Sequence, residues 1–301
     1  MATTLIIGAS GNIGGHVVRH WFGLRPDNSL RLISSREDGC AALASQFASA
    51  EVMQANLYDV ESLAPAVSGV ERIFMNVPDM LDERRATPNL IHALEQAGTD
   101  PHILRFCSYP PHKEFSGLTP LTQASGIGAA KHYIAKQALL ASKFKTTLLN
   151  APCWFMTNLS WLSAQAIRDQ QCLNIPHPHS TPWISPNDIG EAAARLLVKN
   201  RQELEPEYII TGPEIFDFRS VAALMSGIFD QQISYDSNPE IFRRYFGDMT
   251  DVMVEYFENS KTDYGVIEPT DTLGSILGRA PETLAAWLKS NAASFIGESR
   301  C

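Results

Sequence analysis

The stretch TTLIIGASGNIGGHVVRHWF at the start of the sequence limits the possible folds more than any other. A short aliphatic run, Leu5 to Ile7, breaks into glycines at positions 8, 11 and 14 and then into a helical pattern from Gly14 to Phe22. Glycines at a strand-to-helix turn mark places where the backbone must turn sharply or come close to something. Spaced as GxxGxxG, they divide the work. Gly8 permits the turn, Gly11 lets the backbone approach a diphosphate, and Gly14 lets helix and strand pack closely. The helix start adds N–H groups that the helix itself leaves over, at the positive end of its dipole. Gly8, Ser10, Gly11, Asn12, Ile13 and Gly14 are therefore expected to hold the pyrophosphate of a dinucleotide.

The rest of the first half repeats the same alternation. Leu30 to Ser34, Glu51 to Ala55, Arg72 to Asn76, Ile103 to Cys107 and Thr146 to Leu149 read as strands. Ala41 to Ala48, Glu61 to Val67, Asn89 to Gln96 and Ala129 to Ser142 read as the helices between them. Strands alternating with helices over short connections predict an α/β fold with a doubly wound parallel sheet. Its ligand edge lies where the strands end. Beyond Ala151 the rhythm changes to longer helices (Phe155 to Asp169, Asp188 to Val198, Ser220 to Phe229, Pro281 to Ser290) with proline-containing stretches such as NIPHPHSTPWISP. The expected organisation is a cofactor domain over 1–150 and a smaller α+β C-terminal lobe over 151–301, interleaved with the end of the sheet and lining the cleft.

Composition narrows the partners. With 24 basic against 33 acidic side chains the net charge is -9, which argues against nucleic acid. No apolar run approaches the roughly 20 residues of a membrane helix. The sequence opens without a basic, apolar leader, and its cysteines (Cys40, Cys107, Cys153, Cys172, Cys301) lack metal or disulfide spacing. They are expected as small core residues of a cytoplasmic protein.

The end of the second strand selects the nucleotide. An acid there grips the ribose hydroxyls of NAD, whereas Arg or Lys suits the 2′-phosphate of NADP. Here the sequence is RLISSRED, which puts Ser35 and Arg36 in the turn, and a forked guanidinium matches a phosphate. NADP(H) is expected over NAD(H).

Taken with the later segments, the chain resembles the NmrA-like branch of the atypical short-chain dehydrogenases/reductases, with a Rossmann fold. The resemblance runs through QANLYDVESLAPAVSGVERIFMNVP, AAKHYIAKQALLASKFKTTLLNAPCWFMTNLS, SPNDIGEAAARLL, EYIITGPEIFDFRSVAAL and LGRAPETLAAWL, and is weakest over about 236–272. It implies that Asn56, where Asp is usual, and Leu57 contact adenine. It also implies that Asn76, Val77 and Pro78 pass the nicotinamide ribose, and that Ala151, Cys153 and Phe155 border the carboxamide. The usual Tyr–x–x–x–Lys pair is replaced by His132 and Lys136, one turn apart on one helix face. Lys136 is expected to hold the ribose and His132 to act as an acid near neutral pH. Ser108 and Tyr109 follow the fifth strand, where a substrate-orienting Ser is usual, and Tyr109 is the other candidate donor.

Around this site, Trp154, Phe155, Trp161 and Trp183 suggest an apolar or aromatic small-molecule substrate, with Tyr109 also facing it. Cys153 reads as packing, His177 and His179 as a solvated loop rather than a metal site, and Asp188 and Glu191 as helix-capping acids. The resemblance implies an NADP(H)-dependent oxidoreductase acting on C=O, C=C or iminium C=N bonds. The family includes natural-product reductases and enzymes whose cofactor supports a cyclisation, and iminium reduction needs no proton donor. It also includes non-catalytic NADP(H)-sensing regulators, for which a protein partner would be expected.

Overall fold

The computed structural model describes residues 3–25, 29–78, 80–126, 128–177 and 179–296; Cys301 lies outside them. The chain forms two compact units, Met1–Ala151 with Ile189–Ile210, and Pro152–Asp188 with Thr211–Cys301.

In chain order the first unit runs β1 (Thr3–Ile7), α1 (Asn12–Leu24), β2 (Leu30–Ser34), α2 (Glu37–Gln46), β3 (Glu51–Gln54) and α3 (Val60–Val67). It continues with β4 (Val70–Met75), α4 (Glu83–Gln96), β5 (His102–Cys107), α5 (Pro120–Ser125), α6 (Ala129–Ala141) and β6 (Thr146–Asn150). The chain then enters the second unit with β7 (Trp154–Phe155), α7 (Thr157–Gln170), β8 (Cys172–Asn174) and β9 (Thr181–Ile184). It returns through α8 (Pro186–Val198) to β10 (Glu207–Ile209). The remainder is β11 (Glu214–Phe216), α9 (Phe218–Phe229), β12 (Ser234–Asp236), α10 (Pro239–Phe246), α11 (Met249–Asp263), α12 (Thr272–Leu277), α13 (Leu284–Ser290) and α14 (Ala293–Ile296).

The first unit is built on a seven-stranded sheet of order β10-β6-β5-β4-β1-β2-β3, every pair of it parallel. The order reverses beside β1, so the loops after β1 and β4 diverge at the switch point where such sheets bind ligands. The middle strands are apolar because helices cover both faces; all six residues of β5 are buried. The sequence foresaw six of its seven strands, all but the edge strand β10. It did not foresee the short strands of the second unit: β11-β9-β7 form one small sheet and β12-β8 another. Strands of two to four residues carry too little periodicity to read. The core of this unit gathers Trp183, Phe218, Phe242, Trp287 and Phe295. Among the described residues, no helix is long and apolar enough to cross a membrane.

One buried charge stands out in the sheet. Arg105, in the middle of β5, has no exposed surface. Its Nη2 donates to Glu83 Oε1 at 2.6 Å and its Nη1 to Met75 O at 3.0 Å. Glu83, also fully buried, opens α4 and accepts from the Thr87 hydroxyl as well. Removing one partner strands the other charge in a low-dielectric interior, at a cost of about 3–5 kcal/mol, whereas replacing both by apolar groups is far milder. Arg105→Met is therefore expected to lose about that much in urea unfolding, and Arg105→Met/Glu83→Leu to recover most of it. A single-variant loss below about 1 kcal/mol would contradict the buried pair.

Candidate functional site

The glycine turn packs as its spacing requires. Gly8 has φ +87°, and a Cβ there would lie 2.1 Å from Asn76 O; a Cβ on Gly14 would lie 2.0 Å from Gly8 O. Both close approaches are within the protein. Gly11 differs, because a Cβ there would meet only Gly8 O, at 3.2 Å. No other heavy atom lies within 4 Å of that position. Gly11 is also the N-cap of α1, which has no side-chain cap and no acid in its first turn. By contrast α3, α4, α9, α10 and α13 each carry a capping side chain: Asp59, Asp82, Asp217, Asn238 and Thr283. The lack of a side-chain cap is shared with α2, α6, α7, α11 and α12; what sets α1 apart is the glycine turn before it.

At the end of β2, Arg36 caps α2 by position only, and its Nε lies 3.1 Å from Asp38 Oδ1 with both side chains about three-quarters exposed. Such an exposed pair is weak, so the guanidinium can be drawn away. Ser35 O accepts from Gln54 Nε2. Asn56 closes its own turn, its Oδ1 accepting from Tyr58 N–H, beside the buried Leu57.

The end of β4 is held from three sides. Arg105 takes Met75 O, Asn76 N–H donates to Ile7 O at 3.2 Å, and Lys131 Nζ donates to Val77 O at 3.0 Å. Val77 is buried and Pro78 exposed. Lys131 is 1% exposed, and the sequence reading passed over it. It precedes the expected pair by one residue, and the only available signal was a lysine in the first turn of a helix, where cations are disfavoured.

The expected acid and its partners are arranged otherwise than anticipated. His132 is buried, and burial, then Lys131 and Arg105, push its pKa well below the usual 6.5. Its Nδ1 has no hydrogen-bond partner. That direction disfavours the charged ring, and so weighs against the expected role as an acid near neutral pH. Lys136 Nζ donates to Tyr109 Oη at 2.8 Å and lies 3.6 Å from Glu207 Oε2. The Tyr109 hydroxyl in turn donates to Glu207 Oε1 at 2.6 Å. Burial and this carboxylate raise the Tyr109 pKa, the reverse of what a proton donor needs. Asn150 completes the group, its side chain bonding Tyr109 N–H, Tyr109 O and Glu207. Lys136, Tyr109, Glu207 and Asn150 thus form one cluster, just after β5, at the end of β6 and at the start of β10. Glu207 lies far along the chain, and no sequence signal connected it. Tyr133 hydrogen-bonds Pro110 O and Lys113 O, and Ser108 is half-buried beside Tyr109. Ala151 is fully buried at the end of β6.

In the second unit Cys153 and Phe155 are half-buried, and burial raises the Cys153 thiol to about 12, so it stays protonated. The tryptophans separate. Trp183 has no exposed surface and spends its Nε1 on Phe216 O, so it is core rather than substrate wall. Trp161 is 63% exposed, edge-on to Phe246. Trp154 lies between the core and a small pocket. His177 is not in a solvated loop: it is buried and bonded to Ser260. Among the described residues no group of three metal-ligating side chains exists. Asp188 accepts from Glu282 N–H and Arg279 rather than capping its own helix, and Glu191 pairs with Arg195.

The NmrA-like family model matches residues 1–288. The chain belongs to the NmrA-like family. Across 97% of this NmrA-like chain and 98% of the relative, it is 26% identical to the NAD(P)H azoreductase of Xenophilus azovorans. Its fold is like that of the NADPH-dependent quinone oxidoreductase QOR2 of Escherichia coli, solved with NADPH (TM-score 0.78, 21% identity, 96% and 99% of the two chains). It is also like that of NmrA, a negative transcriptional regulator, solved with NADP (TM-score 0.73, 18% identity, 96% and 94%).

A histidine whose pKa the fold depresses takes its proton at higher pH in the unfolded chain, near 6.5, than in the folded one. His132, with His102 and His177 (each lowered to about 4), therefore makes stability fall as pH drops below 6.5. In NMR the His132 ring signals are expected to stay unshifted from about pH 8 to about pH 5.5. A midpoint near 6.5 would contradict the lowered pKa and favour His132 as an acid near neutral pH.

Proposed function

We propose that this NmrA-like protein is an NADP(H)-dependent oxidoreductase that reduces small acceptors which need no proton from a charged side chain. The observation that carries the cofactor assignment is the cradle: Gly11 facing outward at an uncapped helix start, with Arg36 rather than an acid at the end of the next strand. This fits a phosphorylated dinucleotide. The glycine turn and first turn of α1 would hold the pyrophosphate, Arg36 the 2′-phosphate, and Asn56 the adenine.

For the nicotinamide ribose, the geometry favours Lys131 over Lys136. Lys131 sits with its ammonium on Val77 O, at the strand end that the family resemblance assigns to the ribose. Lys136 is already committed to Tyr109 and Glu207. Bound NADPH supplies a hydride. What the chain supplies is position and a fixed field, since His132 is neutral and Tyr109 is tied to a carboxylate. Acceptors that suit this are electron-poor without prior protonation, such as iminium, quinoid or azo groups; water can deliver any proton needed afterwards. The azoreductase relative supports this class.

Two measurements test the proposal. Arg36→Ala should weaken NADPH about 10- to 100-fold while changing NADH less than about twofold, from the loss of charge-assisted bonds; equal losses would sink the NADP assignment. In stopped-flow mixing, bound NADPH should be oxidised by a panel of iminium, quinone and azo compounds, and Lys131→Met should raise the KM for NADPH. No oxidation by any of the three classes, together with a protein partner whose binding changes with NADP(H), would favour the regulator instead.

A further inference from the structure

The turn after β2 carries two opposite charges side by side, and a nucleotide held there would meet both. Its backbone is fixed from several directions. Arg36 N–H donates to Ser34 Oγ at 3.3 Å, Gln54 Nε2 to Ser35 O at 3.2 Å, and Cys40 N–H to Arg36 O at 3.0 Å. Gly39 packs so closely that a Cβ on it would lie 2.2 Å from Ser34 Oγ. The side chains on this fixed turn are open to solvent: Arg36 is 75% and Asp38 74% exposed.

Asp38 Oδ1 accepts from Gly39 N–H at 2.8 Å and lies 3.1 Å from Arg36 Nε. Both contacts fall on Oδ1, so Oδ2 remains able to accept a hydroxyl. The contact with Arg36 falls on Nε, so the two terminal nitrogens of the guanidinium remain able to donate to a phosphate. Glu37 is exposed as well, but among the described residues Asp38 alone pairs with Arg36. One turn therefore offers a partner for each of the groups that distinguish the two nicotinamide nucleotides.

We propose that Asp38 is a specificity-determining residue of the nucleotide site, narrowing the preference for NADPH over NADH by opposing the 2′-phosphate and accepting the 2′-hydroxyl. This deepens the NADP(H) reading above and rests on it. A phosphate on the Arg36 guanidinium lies within about one Debye length, roughly 8 Å, of a carboxylate that touches the same guanidinium. Their repulsion is screened only in part, and at a solvent-facing dielectric it amounts to a severalfold loss rather than exclusion. The opposing effect, in which Asp38 steadies Arg36 for the phosphate, is the smaller one, because so exposed a pair holds its side chains weakly. With NADH the sign reverses, since a ribose hydroxyl donates to a carboxylate at the end of the second strand. Arg36 selects for the phosphate and Asp38 against it, and their balance sets the ratio.

The test is calorimetric binding of NADPH and of NADH to the full chain, with no acceptor present. Asp38→Asn should tighten NADPH about three- to tenfold and weaken NADH about two- to fivefold, so that the affinity ratio rises about tenfold. Glu37→Gln removes the same charge one residue away, outside the pair, and should change the ratio less than about twofold. NADH carries the pyrophosphate but no 2′-phosphate, so it also reports any general effect of charge. An unchanged or lowered ratio in Asp38→Asn, or an equal rise in Glu37→Gln, overturns the proposal. The NADP assignment fails by a different result, equal loss of both nucleotides in Arg36→Ala. Selective loss of NADPH there, with no change of ratio in Asp38→Asn, leaves the assignment standing and removes Asp38 alone. Binding of neither nucleotide to the unaltered chain overturns both.

Discussion

The ion pair between Arg105 and Glu83 fixes the end of β4, and the site of the first unit is assembled around that end. A guanidinium in the centre of a parallel sheet is costly to bury, so it holds its partners firmly. Here these are the first residue of α4 and the carbonyl of Met75. Asn76 is then set against Ile7 and the Cβ-free face of Gly8, and Val77 O meets Lys131. Three elements far apart in sequence converge on three consecutive residues. Moving any of them would shift the strand end that faces the switch point of the sheet.

The same charges determine the acid–base character of the neighbourhood. Two buried cations, Arg105 and Lys131, are balanced by one buried carboxylate, Glu83. Burial, and then the surplus positive potential, push the His132 pKa well below its usual value. It also resolves how a chain of net charge -9 can favour an anionic ligand: potential is set by nearby buried groups and helix ends, whereas the acidic surface is screened by salt. Around Lys136 the balance is different, because Glu207 neutralises the ammonium and holds the Tyr109 phenol protonated. A lysine beside a tyrosine lowers the tyrosine pKa only when no carboxylate competes for the proton.

What was legible in the sequence is what depends on neighbours in the chain. The glycine turn, the strand–helix alternation and the Arg36 turn are local patterns, and they give the sheet and its ligand edge. Choosing between Lys131 and Lys136 was not local. Five residues along a helix rotate a side chain by about 140°, so the choice depends on how α6 docks against β4, and both lysines suit the sequence pattern. Glu207 reaches its partners from a three-residue edge strand entered after an excursion through the second unit. The tryptophans were legible as apolar mass but not as wall, core or surface. Trp183 is core because β9 is paired on both sides, by β7 and β11, in a sheet too short to foresee.

Reduction by hydride requires that the acceptor become electron-rich at one atom, and an enzyme meets that demand with a proton donor or with a substrate already poor in electrons. In the first unit, burial pushes the His132 pKa down and the Tyr109 phenol is held by a carboxylate. On the function proposed above, selection among acceptors is not made by a proton in flight. It falls to electron demand in the acceptor and to recognition of the acceptor's other groups.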